Sequence, residues 1–114
     1  MTDSTKQQEE GQLTLDIFQA DDHIVIQSTI AGVSRNDIDI SITDDMVTIR
    51  GERKKDPQTK VVNYFYEEVF YGLFSRSVIL PEEVDSDEAT ASIKNGVLTI
   101  KLPKKLKTKK IAIE

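Results

Sequence analysis

The side chains in this sequence that could support chemistry are few and scattered. The single histidine, His23, follows Asp21 and Asp22 at a predicted turn, and an imidazole beside carboxylates is a combination that can ligate a metal or act as a general base. An isolated histidine on a turn is more often solvated than ligating. We therefore interpret His23 as a solvated turn residue.

A second acidic cluster, Asp85-x-Asp87-Glu88, resembles part of a calcium-binding loop but lacks its glycine and its distant glutamate. Capping of a short helical turn explains it better. The chain has no cysteine, and it contains no glycine-rich loop that could hold a phosphate. The sequence therefore predicts no catalytic residue, no cofactor and no metal site, and we expect that the protein is not an enzyme.

Composition points to one domain in a reducing compartment. A chain of 114 residues is long enough to bury roughly 65% of the surface that its unfolded form exposes. The absence of cysteine excludes disulfides and fits a reducing compartment. No apolar run approaches the ~20 residues of a membrane span, and the N-terminus lacks the layout of a signal peptide. We expect a soluble, cytoplasmic protein with no membrane contact.

Charge is distributed unevenly along the chain. Residues 103–114 carry five lysines and one glutamate, so that of the net charge of −5 a share of −9 belongs to residues 1–102. Such an acidic body repels nucleic acid, so no nucleic-acid partner is expected. The five lysines are better interpreted as a solvated, flexible tether.

Apolar residues alternate with polar ones along most of the chain, which is the period of β-strands. Asn95-Gly96 lies between two such runs, and both residues tolerate the positive φ of a type I′ hairpin turn. The pattern predicts an all-β fold, an immunoglobulin-like antiparallel β-sandwich of about seven to nine strands over residues 13–102. Residues 1–12 are polar and predict a disordered arm. The residues predicted to alternate are Leu13, Leu15 and Ile17; Ile24, Ile26 and Ile30; Ile38, Ile40 and Ile42; Val47 and Ile49; Phe74, Val78 and Leu80; Ala89, Ala91 and Ile93; and Leu98, Ile100 and Leu102.

Two segments do not fit a simple sandwich. The stretch from Arg53 to Gly72 is too long for an ordinary hairpin connection, and its strand-like centre, residues 61–66, carries two tyrosines and a phenylalanine. Exposed aromatic residues are more useful at an interface than in solvent; a hairpin folded over its own core is the alternative. At the C-terminus, Ile111 and Ile113 form an apolar plug whose side chains point to one side of an extended segment and suit a groove.

Several motifs together resemble the small heat-shock proteins, whose α-crystallin domain is an ATP-independent chaperone module. They follow one another in the family's order over residues 13–113. The matching motifs are Ile49-x-Gly51-Glu52-Arg53, Gly72-x-Phe74-x-Arg76 with Leu80-Pro81, Ala91-x-x-x-Asn95-Gly96-Val97-Leu98, and Ile111-x-Ile113.

The resemblance implies a homodimer formed by reciprocal strand exchange, in which the long loop of each subunit pairs with the first strand of the other. It also implies that the terminal plug docks in a groove between two strands, on its own subunit or on a neighbour, which the sequence leaves open. Small alanines beside bulky isoleucines would keep such a groove open. The residues implied are Val62, Tyr64, Phe65 and Tyr66 meeting Leu13, Leu15 and Ile17 for the exchange, Ile111 and Ile113 for the plug, and Ile38, Ile40, Ile42, Ala89, Ala91 and Ile93 for the groove.

One arginine stands on a predicted apolar face. Arg76 shares its side of the strand with Phe74 and Val78, so it needs carboxylate or carbonyl partners. The family also has a sensitive arginine at this position. We expect a structural role for Arg76.

The chain departs from the family pattern at a turn, where members usually show Pro-Gly and this chain has Ala31-Gly32, and also at the exchanged strand and the N-terminal arm. The exchanged strand commonly carries arginines where this chain has Tyr66 and Val69, which makes the implied dimer contact more apolar. Family members mostly carry a longer, apolar N-terminal arm that captures clients, and twelve polar residues cannot do that. Strong chaperone activity and large oligomers are therefore not expected.

The function that the resemblance implies is that of a holdase, which binds partly unfolded proteins under stress and keeps them from aggregating without ATP. Heating that releases the plug would free the groove for clients. Two alternatives remain at this stage. One is a co-chaperone or adaptor that binds a specific folded partner, and the other is a regulatory subunit of mixed small heat-shock oligomers.

Overall fold

The fold is a sandwich of two four-stranded β-sheets. A computed structural model describes residues 11–56, 58–105 and 112–114, with only the backbone of Gly11 and Gln12. The strands in chain order are β1 (Gly11–Gln12), β2 (Asp16–Ala20), β3 (His23–Thr29), β4 (Ile38–Ile42), β5 (Met46–Arg53), β6 (Gly72–Ile79), β7 (Thr90–Lys94) and β8 (Val97–Pro103).

The first sheet has the strand order β1-β6-β5-β4, and the second has the order β2-β3-β8-β7. Every pairing is antiparallel except that of β1 with β6, which is parallel. The predicted antiparallel β-sandwich is confirmed. Gly11 and Gln12 belong to the arm predicted to be disordered over residues 1–12, but their backbone pairs with Phe74 and Ser75. Residues 1–10 of that arm lie outside the described chain.

The core is formed by the inward side chains of both sheets. Because side chains alternate across a strand, the isoleucines, leucines and valines of each run reach the same interior. Each fully buried side chain of this size contributes about 1.5–3 kcal/mol. The most deeply buried residues are Ile26, Ile30, Val47, Ile49, Val84, Leu98, Ile100 and Leu102.

Two tight hairpins fix the register of the second sheet. Lys94 pairs with Val97, so Asn95 and Gly96 alone make the turn, with φ of 54° and 77°. Positive φ at both positions is what a type I′ turn requires, and the hairpin predicted from Asn-Gly is confirmed. The β2–β3 hairpin is equally short, with Asp21 at a φ of 53°.

Two short 3-10 turns connect strands. The Ser34 hydroxyl accepts the backbone N–H of Asn36 before the turn Arg35–Asp37. The Asp85 carboxylate accepts the backbone N–H of Asp87 before the turn Ser86–Glu88. The acidic cluster at 85–88 therefore provides a helix cap, as expected.

The long segment between β5 and β6 contains no strand in its described residues. A strand needs a neighbouring backbone to pair with, and none of the described strands pairs with residues 61–66. Val62, Phe65 and Tyr66 are 96%, 89% and 85% exposed. These residues therefore stand in solvent in the single subunit, and they do not fold over their own core.

Candidate functional site

An apolar groove runs between β4 and β7, which are the outer strands of the two sheets on one side of the sandwich. Its volume is about 290 Å³. Since Ala91 is small and exposed, it leaves the space between the isoleucines of the two strands open. The apolar lining residues are Ile38, Ile40, Ala91, Ile93 and Leu98, with Arg35 at one end.

The structure brings together four of the six predicted groove residues. Ile42 and Ala89 pack against the core, as do Ile38, Ile40 and Ile93, but they do not line the open volume. Ala89 precedes β7, just after the 3-10 turn. The groove therefore covers the Ile38 end of β4 and the Ile93 end of β7.

The plug lies only partly within the described chain. Ile113 is 98% exposed, so it does not occupy the groove of its own subunit in this structure. Ile111 lies outside the described residues. In the single subunit, Ile113 of the predicted plug therefore stands outside the predicted groove.

A second surface is the free edge of β2. Among the described strands β2 pairs only with β3, and all five of its residues are exposed. Ile17 and Phe18 are large apolar residues on this strand. An open strand edge is a template for pairing with another chain.

The two leucines before β2 do not share this exposure. Leu13 is only 6% exposed, and Leu15 is half-buried and packs against the core. Of the three residues that the sequence assigns to the exchange edge, only Ile17 belongs to the exposed strand β2. The other two anchor the edge from inside the sandwich.

Lys55 organises the long loop from within. Its Nζ atom donates hydrogen bonds to the hydroxyl of Tyr64 at 2.7 Å and to Oε2 of Glu67 at 3.0 Å. It also lies 4.8 Å from the centroid of the Tyr64 ring and 5.6 Å from that of Tyr71. The hydrogen bonds to Tyr64 and Glu67 raise the pKa of Lys55 above its ordinary value. The Lys55 ammonium group therefore contacts two tyrosines of the loop, Tyr64 and Tyr71, by cation–π interactions.

The beginning of the loop is tied to the neighbouring loop after β3. Arg53 donates from Nε to the backbone oxygen of Ala31 at 2.9 Å and from Nη1 to that of Phe70 at 3.4 Å. Lys54 lies 3.1 Å from the Asp37 carboxylate, which raises the pKa of that lysine. Sequence analysis found Arg53 only as part of a motif and missed Lys54 and Lys55. The run of three basic residues before the aromatic segment was the available signal.

Arg76 lies opposite Ile49 in the β5–β6 ladder, so its half-buried side chain is on the inward face. Its Nη1 atom donates a hydrogen bond to the backbone oxygen of Leu13 at 2.8 Å. The partner is therefore a carbonyl group, one of the two kinds that the sequence indicated. This contact joins β6 to the segment that leads into β2.

The residues that follow β8 are held in place. Lys104 Nζ lies 3.0 Å from Glu82 Oε2 and donates to Gln19 Oε1 at 2.7 Å. Lys105 Nζ lies 2.9 Å from Asp44 Oδ2. The predicted basic tail, residues 103–114, is thus held against the sandwich as far as Lys105.

His23 differs from its predicted placement at a solvated turn. It is the first residue of β3, half-buried, and pairs with Ala20 and Pro103.

In the part of the chain that the structure describes, no three His, Cys, Asp or Glu residues lie together in a way that could hold a metal ion. Nor does any helix among those residues have the length and apolarity to cross a membrane.

These features define a class of protein. A two-sheet sandwich with an apolar groove between outer strands and a long aromatic loop is a β-sandwich of the α-crystallin type. A model of the Hsp20/alpha crystallin family matches residues 16–114. The chain belongs to this family.

Known relatives agree with the family match. The chain is 39% identical to small heat shock protein C4 of Rickettsia felis over 100 residues, which cover 86% of this chain and 61% of that protein. The chain is thus shorter than this relative and spans about three fifths of its length.

Solved structures show the same fold. Heat shock protein 16.0 of Schizosaccharomyces pombe superposes with a TM-score of 0.75 at 28% identity, covering 92% of this chain and 100% of that one. A small heat-shock protein of Xylella fastidiosa superposes with a TM-score of 0.76 at 30% identity, covering 90% and 94% of the two chains.

Proposed function

We propose that the protein is a cytoplasmic, ATP-independent holdase that binds apolar segments of partly unfolded proteins under stress and suppresses their aggregation. The observation that carries this proposal is the open apolar groove of about 290 Å³ between β4 and β7. An extended apolar segment presents alternate side chains to one side, which suits a groove lined by Ile40, Ala91 and Ile93.

The terminal plug is proposed to compete with clients for this groove. Ile111 and Ile113 are spaced so that both enter one groove from an extended chain. A tethered plug acts at a high effective concentration, so it keeps the groove filled until heating or a client displaces it. The exposure of Ile113 supports a plug that is not committed to its own subunit.

The protein is further proposed to form a homodimer by exchange of the long loop. The free edge of β2 offers unpaired backbone groups, and residues 61–66 lack a pairing partner in the single subunit. Pairing the two would satisfy both and bury Val62, Phe65 and Tyr66. The Xylella fastidiosa relative is described as having a distinct high order structure, which supports self-assembly as a property of such chains.

Light scattering of an aggregating client tests the holdase proposal. The client is heated with and without the protein, in the absence of nucleotide. Ala91→Arg places a charged side chain in the groove, and Thr90→Arg places the same side chain next to it on the other face of β7. We expect protection by the wild type and by Thr90→Arg, and loss of protection with Ala91→Arg.

Two results would contradict the proposal. Failure of the wild type to reduce scattering at any ratio to client would exclude a holdase, and equal protection by both variants would exclude the groove as the binding site. A single folded partner bound stoichiometrically, without protection of clients, would instead support the adaptor function.

A further inference from the structure

A short crossover joins the two sheets at the start of the chain. Residues 13–15 lead from β1, at the edge of the first sheet, to β2, at the edge of the second. The Leu13 carbonyl accepts a hydrogen bond from Arg76 on β6. The next carbonyl, that of Thr14, accepts one from the hydroxyl of Ser28 on β3 at 2.6 Å. Each sheet thus provides one donor to the crossover.

Ser28 breaks the apolar pattern of its strand. The inward residues Ile24, Ile26 and Ile30 are deeply buried, and Ser28 between them is only 4% exposed and faces Leu98. It is the one buried polar residue in the part of the chain that is described. Burying a hydroxyl group is unfavourable unless it is hydrogen-bonded, so the bond to Thr14 is the feature that makes serine acceptable here.

The crossover restrains the start of β2 in addition to the ladder with β3, in which Asp16 pairs with Gln27. At its C-terminal end β2 is held by the tight turn into β3. At its N-terminal end it begins at Asp16, two residues after Thr14, and its five exposed residues contribute little burial. An open groove of about 300 Å³ lies beside this end, lined in part by Thr14, Asp16 and Ser28. The hydrogen bond from Ser28 is therefore well placed to stop the start of β2 from detaching.

We propose that Ser28 is a positioning residue for subunit exchange: through the Thr14 carbonyl it holds the free edge of β2 in the geometry that a partner's loop must meet. This inference rests on the proposed exchange dimer and adds the residue that prepares its docking edge. Ser28 itself is buried inside the sandwich. Its effect on dimerisation is exerted through the backbone of Thr14 alone.

The test compares three variants of the full chain. Ser28→Ala removes the hydroxyl group, and Ser28→Thr retains it. Ser77→Ala is the matched control, because the Ser77 hydroxyl is bonded to Thr48 at 3.0 Å on the solvent face of the first sheet and not to the crossover. The dimer dissociation constant is measured by dilution in native mass spectrometry and sedimentation, at a temperature well below unfolding. Amide hydrogen exchange over residues 14–20 is measured in parallel.

We expect Ser28→Ala to raise the dissociation constant roughly threefold to tenfold, the range that one net hydrogen bond provides. Exchange over residues 14–20 should accelerate, Ser28→Thr should restore both quantities, and Ser77→Ala should change neither. A role confined to general stability would lower the urea midpoint without changing the dissociation constant, since subunit and dimer would be destabilised alike.

The outcomes separate this inference from the function on which it rests. A wild-type protein that stays monomeric at all concentrations overturns the exchange dimer, and the role of Ser28 falls with it. A dimeric wild type with an unchanged dissociation constant in Ser28→Ala overturns the role of Ser28 alone.

Discussion

Asp44 Oδ2 and Lys105 Nζ lie 2.9 Å apart, so the turn between β4 and β5 holds the residue from which the C-terminal tail departs. The other oxygen of the same carboxylate accepts a hydrogen bond from the Ser86 hydroxyl at 3.2 Å. The Asp44 backbone oxygen accepts one from the Val84 N–H at 2.8 Å. One residue therefore joins the hairpin, the connection into β7 and the root of the tail.

Acid should release the root of the tail. The hydrogen bond and charge of Lys105, followed by the bond from Ser86, hold the pKa of Asp44 below its ordinary value of 3.8. A lowered pKa means that the carboxylate stabilises the folded root above pH 3.8, and that this contribution is lost as the pH falls through the lower folded value. The Lys105 backbone N–H donates a hydrogen bond to the backbone oxygen of Glu83. We expect the NMR signal of this N–H to show that the root becomes disordered below pH 3.8. Asp44→Asn should show a loosened root already at pH 7, and a wild-type root that stays ordered at pH 2 would contradict this prediction.

Alkali should have the corresponding effect through Lys105. Asp44 raises the pKa of this lysine above 10.5 by its hydrogen bond and charge. The stabilisation that the protonated lysine gives to the root is therefore complete below pH 10.5, and it is lost as the pH rises through the pKa of Lys105 in the folded protein. Because both side chains are about half exposed, salt should weaken the pair. The measurement is the same NMR signal at pH 7 in low salt and in 0.5 M salt, an assay condition of roughly 4 Å screening length. Lys94→Gln, a substitution on exposed β7, is the control and should leave the salt response unchanged.

Removing Lys55 should loosen the aromatic loop without unfolding the sandwich. Lys55→Met keeps much of the side-chain length but loses the hydrogen bonds to Tyr64 and Glu67. We expect faster amide exchange over residues 61–71 and faster proteolytic cleavage in the loop. Since the contacts are exposed, the free energy of unfolding should change little. Lys60→Met, in the same loop, should resemble the wild type, and equal exchange in both variants would exclude Lys55 as the organiser.

Gly51 should tolerate no side chain. A Cβ atom at this position would lie 2.5 Å from Cζ of Phe74 and 2.8 Å from the backbone oxygen of Asp37. Since Phe74 is buried, its ring has little room to move. We expect Gly51→Ala to lower the free energy of unfolding by about 1–3 kcal/mol, the usual effect of overpacking. The measurement is the urea midpoint, with exposed Arg50→Ala as the control; a midpoint equal to that of the wild type would contradict the prediction.

The parts of the fold that sequence analysis predicted are those that depend on local pattern. Alternation placed Ile49 in the core, and Asn95 with Gly96 identified a hairpin, because side-chain period and turn conformation are properties of neighbouring residues. Leu13 was assigned to the exchange edge because the family resemblance implies that the first strand, from Leu13 to Ile17, meets the partner's loop. In the structure the crossover between sheets, which no local pattern reveals, buries Leu13.

The candidate site was predictable to a similar extent. The family resemblance implied the groove, and four of its six predicted residues line it. The contacts of Lys55 and Ser28 were missed because each joins segments that are distant in sequence. Residues 61–66 were predicted to be strand-like, and in the single subunit they have no backbone to pair with. The pairing partner expected for these residues is a strand of a second subunit, which a single chain lacks.

Arg76 should stabilise the sandwich by satisfying one buried carbonyl. Its acceptor, the Leu13 oxygen, is neutral, so Arg76→Ala leaves an unpaired polar group and no stranded charge. The expected loss of unfolding free energy is therefore about 1–3 kcal/mol, below the ~3–5 kcal/mol that follows the breaking of a buried ion pair. Arg76→Lys places a shorter, single-point donor on the same face and should recover only part of the loss. Urea unfolding of the three proteins measures the difference, and a loss above 4 kcal/mol would mean that Arg76 also neutralises a carboxylate. Because the Leu13 carbonyl belongs to the crossover that carries β2, amide exchange at residues 16–20 should rise in Arg76→Ala even where the global stability remains high.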